Sequence, residues 1–206
     1  MQRACPKRFL SNRSSGRLGY ALAKAARTEG ARVTLVSGPV ALRPPKDVSM
    51  IPVVSAREMY RATLAHARRA DIIICAAAVA DWRPLGIAGR KIKKEKRSVL
   101  ELAKNPDILA TIGKRKRKGQ YIVGFALESE RLLENAWKKL RHKHCDCIIA
   151  NPVPAISAAR HQATLLFRTG QAIKLPPLPK PILARRILQL LKHTLLSHHV
   201  DKSLTT

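Results

Sequence analysis

The stretch IIICAAAVADWRP (72–84) decides how the chain is read. Residues 72–78 are a short, continuous apolar run with no polar alternation. That pattern suits a strand buried on both faces of a parallel sheet. The run ends in small side chains, Ala76, Ala77 and Ala78, and Asp81 stands just beyond it. In open α/β sheets ligands bind outside the carboxyl ends of the strands. Small residues there let a flat base or a backbone approach closely. A turn before Pro84, capped by Asp81, accounts for the same residues without a ligand.

Upstream, residues 48–54 form an extended run, and Ser55 caps a helix to about Arg69, with Glu58 at the capping-box position. Before that, RVTLVS (32–37) is a β-branched strand stopped by Gly38-Pro39. Residues 16–29 repeat Leu18, Ala21, Leu22, Ala25 and Ala26 at helical spacing, and Gly30 ends that helix. Downstream, a basic irregular stretch runs from Asp81 to Arg97, and a short strand is expected at 99–102. Asn105-Pro106-Asp107 opens a helix to about Lys114, with proline in its first turn. A buried strand follows at 121–125, then a helix at 130–144 and a strand at 147–150. Residues 163–167 and 172–175 flank Thr169-Gly170-Gln171 as a hairpin. The proline-rich segment 176–181 reads as a stiff connector to a last helix at 183–196.

Strand and helix alternate four or five times before the hairpin. The expected fold is α/β: a Rossmann-like, doubly wound, mostly parallel sheet with a C-terminal β-hairpin and helix. One domain is expected over 1–206. Its parts are a nucleotide-binding core (1–150), the hairpin and connector (151–182), and the C-terminal helix and tail (183–206).

Composition sets bounds. The 206 residues are 46% hydrophobic, enough to bury one substantial core. Four cysteines rule out a disulfide scaffold. The longest apolar run, 72–80, is far short of a bilayer span, and the amino terminus has no apolar h-region. A soluble cytoplasmic protein is expected, with no membrane partner. Charge is the outlier: 40 Lys and Arg against 13 Asp and Glu give +27. That balance suggests a polyanionic or phosphorylated partner. Aromatics at 4% of the chain argue against a base-stacking single-strand binder.

Three further stretches could carry chemistry. SNRSSGRLG (11–19) is a glycine turn entering a helix, whose free amides attract phosphate. It lacks the third glycine of a dinucleotide fingerprint. GRKIKKEKR (89–97), if extended, places Lys91 and Lys93 on one face, where ammonium groups could hold a triphosphate. KNPDI (104–108) is a helix start able to take a phosphate or a ribose hydroxyl. Each has a bland counterpart: an N-cap, a solvated charge run, a simple helix cap.

Taken in order, the motifs RFLSNRSSGRLG (8–19), VTLVSGPV (33–40), AAAVADWRP (76–84), KIKK (91–94), KNPDILA (104–110), VGFALES (123–129) and IIAN (148–151) resemble phosphopantothenate–cysteine ligase. That family forms the second half of the bifunctional bacterial coenzyme A flavoprotein. The resemblance runs from about Arg8 to about Leu191. It implies a homodimer that joins 4′-phosphopantothenate to cysteine, with CTP as cosubstrate and Mg²⁺ as cofactor. A phosphopantothenoyl-cytidylate would be the intermediate, and a flavin-dependent decarboxylase the partner activity.

By motif, the resemblance assigns Lys91 to the triphosphate and Asn12 to the acyl-cytidylate. Ala77 and Asp81 would lie against the cytosine. Asn105, Pro106, Asp107 and Ile108 would form the nucleotide loop, with Phe125 near it. Lys139 and Lys143, four apart on one helix, would also contact the nucleotide. Metal ligands are left unassigned. The chain departs from the family at two places. The family opens with a central strand and a Gly-Thr turn, whereas only eight residues precede Phe9, none expected to form an apolar strand. The missing strand would be central in the sheet, so the expectation is either a fragment or another element filling its place. The stretch 156–161 is basic where the family is usually acidic.

Other signals carry less. Tyr20 and Lys24 have YxxxK spacing, but in the wrong place for a short-chain dehydrogenase dyad. HKHCDC (142–147) gathers potential metal ligands without a second cluster, and Cys147 is expected to face the core. KRKRK (114–118) reads as a solvated loop. A non-catalytic nucleic-acid-binding protein on the same scaffold is the alternative reading, and the charge leaves nucleic acid open as a secondary partner.

Overall fold

The computed structural model describes residues 1–5, 8–90, 99–152 and 160–200. Strands β1 (Gln2–Cys5) and β2 (Arg8–Leu10) form an antiparallel hairpin. Helix α1 (Arg17–Thr28) follows, then β3 (Thr34–Ser37) and β4 (Ser49–Pro52), which pair in parallel. Next come α2 (Ala56–Ala67), β5 (Ile72–Cys75), and β6 (Trp82–Pro84) antiparallel to β7 (Leu102–Lys104). The second half runs α3 (Ile108–Lys114), β8 (Tyr121–Glu128), α4 (Leu132–His142), β9 (Cys147–Pro152), β10 (Arg160–Phe167), β11 (Ala172–Pro179) and α5 (Lys180–Val200).

The main sheet has the order β11-β10-β9-β8-β5. β5, β8 and β9 are parallel, and β10 and β11 are the antiparallel hairpin. Strand alternation divides its side chains between two layers. Tyr121, Val123, Cys147, Ile149, Leu165 and Phe167 face a cluster shared with α1 and α5. Ile122, Ile148, Ala150 and Leu166 face one shared with α3 and α4. Cys147 is fully buried, as its place in the strand predicts. The result is a helix–sheet–helix sandwich, the expected α/β class.

Local chemistry sets the helix starts. The Ser55 hydroxyl accepts from the Glu58 N–H, and the Glu58 carboxylate reaches back to the Val54 N–H at 2.8 Å. Asp107 caps α3 by accepting from the Ala110 N–H at 2.8 Å. Pro106 therefore lies ahead of the cap, not inside the first turn. Gly16 precedes α1 at φ 69°. A Cβ there would also sit 2.9 Å from Val40 Cγ1, so glycine is required twice over.

Several expectations need correction. β5 is a four-residue edge strand with Ile72 44% exposed, not a strand covered on both faces through residue 78. Residues 2–5 do form a strand, but it pairs with β2 outside the main sheet. The short strand expected at 99–102 lies at Leu102–Lys104, and Val99 is exposed. The proline-rich segment is no connector: β11 continues through Pro179, and α5 begins at Lys180. Prolines are tolerated there because β11 is an edge strand whose outer positions need no N–H.

Among the described residues, β3–β4 and the five-stranded sheet are separate hydrogen-bonded units. Helix α1 touches the carboxyl ends of both. The Tyr20 hydroxyl lies 3.1 Å from the Ser37 hydroxyl, and Gly19 packs beside Ala76. Tyr20 is thus a packing residue of α1, with no bond to Lys24.

Candidate active site

Two asparagines from distant motifs grip one loop. The loop 76–81 leaves the carboxyl end of β5. The Asn12 side-chain amide donates to the Val79 carbonyl at 3.3 Å. The Asn105 side-chain amide donates to the Ala80 carbonyl at 2.8 Å, and the Asn105 backbone N–H donates to the Asp81 carbonyl at 2.7 Å. Three successive carbonyls are thereby fixed. Ala77 and Asp81 are exposed on the same loop. The Asn105 Oδ1 is buried and has no hydrogen-bond partner among the described residues. Its sister amide is committed to Ala80, so this oxygen is an acceptor available to a hydroxyl or amino group.

The second group lies on the α3–α4 side. The Lys143 ammonium is 2.5 Å from the Asp107 carboxylate. Burial works to raise the Asp107 carboxyl, but the Lys143 hydrogen bond, the Ala110 N–H and the charges of Lys143 and Lys139 outweigh it, so it sits below its ordinary value. Lys139 is half-buried one turn earlier on α4. The thiol of Cys75, at the end of β5, is pushed up to about 12 by burial, and the Asp107 charge adds to the rise. Lys139, Lys143 and Asp107 therefore form one compact charged cluster beside the end of β5.

Phe125 and Ile108 are placed differently. Phe125 lies one residue past Gly124, the register partner of Cys75, and is half-buried in β8 just beyond the carboxyl end of β5. It packs toward α1 and α5, on the opposite face from Lys139 and Lys143. Ile108 packs against the α3–α4 core. Lys91 lies outside the described residues, as do Lys93 and Lys94, and most of 156–161.

The structure adds a cationic cleft that sequence reasoning missed. A cavity of about 430 Å³ is lined by Arg57, Tyr60, Arg61, Arg83, Lys104, Asn105 and Pro106. The Arg83 guanidinium donates to the Lys104 carbonyl, and the Lys104 ammonium lies 5.6 Å from the centre of the Trp82 ring. Arg57 and Arg61 are one turn apart on α2, a spacing visible in the sequence. Nothing there showed that this face turns toward Asn105. The cleft can attract an anion beside the loop that Asn105 organises.

Among the described residues no helix is long and apolar enough to cross a membrane, and no three His, Cys, Asp or Glu side chains come together to hold a metal ion.

Residues 2–195 match the family described as DNA/pantothenate metabolism flavoprotein C-terminal domain. The chain is 42% identical over 200 residues to the coenzyme A biosynthesis bifunctional protein CoaBC of Vibrio vulnificus (strain CMCP6), covering 94% of this chain and 49% of that protein. It is 43% identical over 190 residues to the same-named protein of Bacillus subtilis (strain 168), covering 89% and 47%. It thus spans about half the length of these curated relatives. A crystal structure of the C-terminal domain of a CoaBC protein superposes with TM-score 0.83 at 39% identity, covering 95% of this chain and 91% of that one. A Cab2 mutant in complex with phosphopantothenate-cysteine superposes at 0.77 with 14% identity, covering 96% and 85%, which is a likeness of fold.

Proposed function

Because the chain belongs to the DNA/pantothenate metabolism flavoprotein C-terminal domain family, we propose that it is a ligase that joins 4′-phosphopantothenate to cysteine in coenzyme A biosynthesis. The observation that carries this reading is the junction at residues 76–81. Asn12 and Asn105, each from a different family motif, hold one loop at the carboxyl end of β5. The identity to CoaBC proteins over 94% of the chain supports it. It favours the ligase over a non-catalytic basic protein on the same scaffold.

CTP is the proposed cosubstrate. A carboxylate oxygen of 4′-phosphopantothenate attacks the α-phosphorus, a P–O bond forms, and pyrophosphate leaves. The cysteine amine then attacks the acyl carbon of the cytidylate, losing a proton as CMP departs. Positioning and charge stabilisation supply most of such catalysis. The free Asn105 Oδ1 suits a hydroxyl or amino group of the nucleotide, and Ala77 and Asp81 flank it on the clamped loop. Pro106, Asp107 and Ile108 shape the adjoining turn. Lys139 and Lys143 supply positive charge, with Lys143 exchanging Asp107 for phosphate. Phe125 closes the other side of the strand ends. Asn12 orients the acyl-cytidylate, and Lys91 neutralises charge building on the triphosphate. The cleft of Arg57, Arg61 and Arg83 draws the anionic substrates in.

Mg²⁺ would offset triphosphate charge. An ion carried largely by phosphate oxygens and water needs only one or two carboxylates, and Asp81 and Asp107 are the nearby candidates. A homodimer, and a flavin-dependent decarboxylase as the companion activity, complete the proposal.

The test is pyrophosphate release by the purified chain with 4′-phosphopantothenate, cysteine, CTP and Mg²⁺. Release that requires the acyl substrate, and falls at least tenfold in Lys91→Gln, is expected. A folded protein that releases none sinks the reading.

A further inference from the structure

Two basic runs far apart in the sequence meet in the fold, at the end of the sheet opposite the candidate site. Arg68 and Arg69 close α2 just before β5, and 114–118 (KRKRK) joins α3 to β8. Both segments lead into the amino ends of their strands. Arg117 donates its guanidinium to the Ala70 carbonyl at 3.1 Å. The buried Gln120 side chain ties the same corner by donating to the Ala67 and Ala70 carbonyls at 2.7 and 2.6 Å. Arg68, Arg115 and Arg117 line a single cleft of about 390 Å³.

Segments 64–71 and 112–120 hold seven Lys and Arg against one acid, Asp71. Lys116 is paired with Asp146 at 2.5 Å. Among the described residues, the other six form no ion pair with a carboxylate, and all six are exposed. The candidate active site uses none of them.

We propose that this corner is a second binding surface, one that takes the phosphodiester backbone of duplex nucleic acid. Guanidinium groups pair bidentately with phosphate oxygens, and a row of them neutralises successive phosphates. The composition of the patch selects among polyanions. Its two segments contain no Phe, Tyr or Trp on which unpaired bases could stack. They expose no large apolar side chain to form the dry centre of a protein interface or to enter a lipid surface. What is left is charge without base readout, and it is separate from the ligase chemistry, on which this inference does not rest.

The test is fluorescence anisotropy of a 20-base-pair DNA duplex of arbitrary sequence, titrated with the full chain at several salt concentrations. The chain should bind, with affinity falling steeply as salt rises. A triple variant, Arg68→Ser, Arg69→Ser and Arg115→Ser, should bind at least tenfold more weakly and lower the log–log salt slope by about 3. The matching triple to Lys should keep the slope, which separates charge from folding. A control of equal charge loss on exposed positions elsewhere, Arg27→Ser, Arg32→Ser and Arg185→Ser, should bind nearly as the parent does. Absence of duplex binding at 50 mM salt overturns the proposal, and so does an equal loss in both serine triples. Capture by vesicles of anionic phospholipid without duplex binding also overturns it, in favour of a membrane surface.

Discussion

Asn105 donates its side-chain amide to the Ala80 carbonyl at 2.8 Å while its own Oδ1 stays buried and unpaired. One side of the amide holds the loop, and the other keeps an unused buried acceptor in a residue that lines the cationic cleft. Asn105→Asp keeps the shape but sets a carboxylate oxygen against the Ala80 carbonyl. Loss of that bond should destabilise the fold by about 1–3 kcal/mol. CTP affinity should fall as well, because the new charge repels phosphate. Urea denaturation and a nucleotide titration check the two effects, and an aspartate variant with wild-type stability refutes the clamp.

Gly113 lies in the last turn of α3. Alanine is ordinarily the better helix residue by about 1 kcal/mol, so a substitution there would normally help. Here a Cβ would fall 1.9 Å from the Lys143 carbonyl oxygen, an atom of backbone that cannot rotate away. Gly113→Ala should therefore destabilise by about 2–3 kcal/mol, as overpacking does. Thermal unfolding decides the sign. Displacing the Lys143 backbone should also weaken the ion pair with Asp107.

Most of the fold was legible because the buried strands carry strong periodic signals. Residues 121–125 and 147–150 are nearly all fully buried, and their apolar runs said so. The edges were harder. An Ile-rich run such as β5 reads the same with or without a neighbour on its far side, and a proline-rich edge strand reads as a linker. In the site, Asn12, Asn105 and the loop 76–81 were each visible as motifs. That they meet was not, because the contact depends on tertiary placement. Arg57 and Arg61 looked like a solvated helix face, and the union of Arg68 with Arg115 spans 47 positions of sequence. Lys91 lies outside the described residues.

The cysteines should be inert in the native state. Cys5, Cys145 and Cys147 are buried, and Cys75 is half-buried. Burial pushes the Cys75 and Cys145 thiols up to about 12, and raises Cys147 as well. The thiolate is the reactive form, so at pH 8 Cys75, Cys145 and Cys147 hold almost none of it, and burial shields Cys5. A thiol reagent should label the native chain slowly and all four cysteines once urea unfolds it. Fast labelling of Cys75 in native protein would contradict its placement. Slower labelling with CTP present would instead report cover by the nucleotide.

The Asp107–Lys143 pair gives a stability that depends on pH in one direction. The folded carboxyl lies below its ordinary value of 3.8, so between the two values the unfolded chain binds more protons. The stabilisation is present above 3.8 and disappears as pH falls through the lowered folded value. The carboxylate is about half exposed, at 49%, and solvent screening holds the contribution to roughly 1 kcal/mol or less. Asp107→Asn keeps an acceptor for the Ala110 N–H, because asparagine also caps helices well, but removes the charge. The variant should be less stable than the parent at pH 7 and should close that difference as pH approaches 3. Urea midpoints for both proteins across this range measure it. A difference that stays constant from pH 7 to 3 would show that the charge on Asp107 adds nothing to stability and would refute the ion pair's part in it.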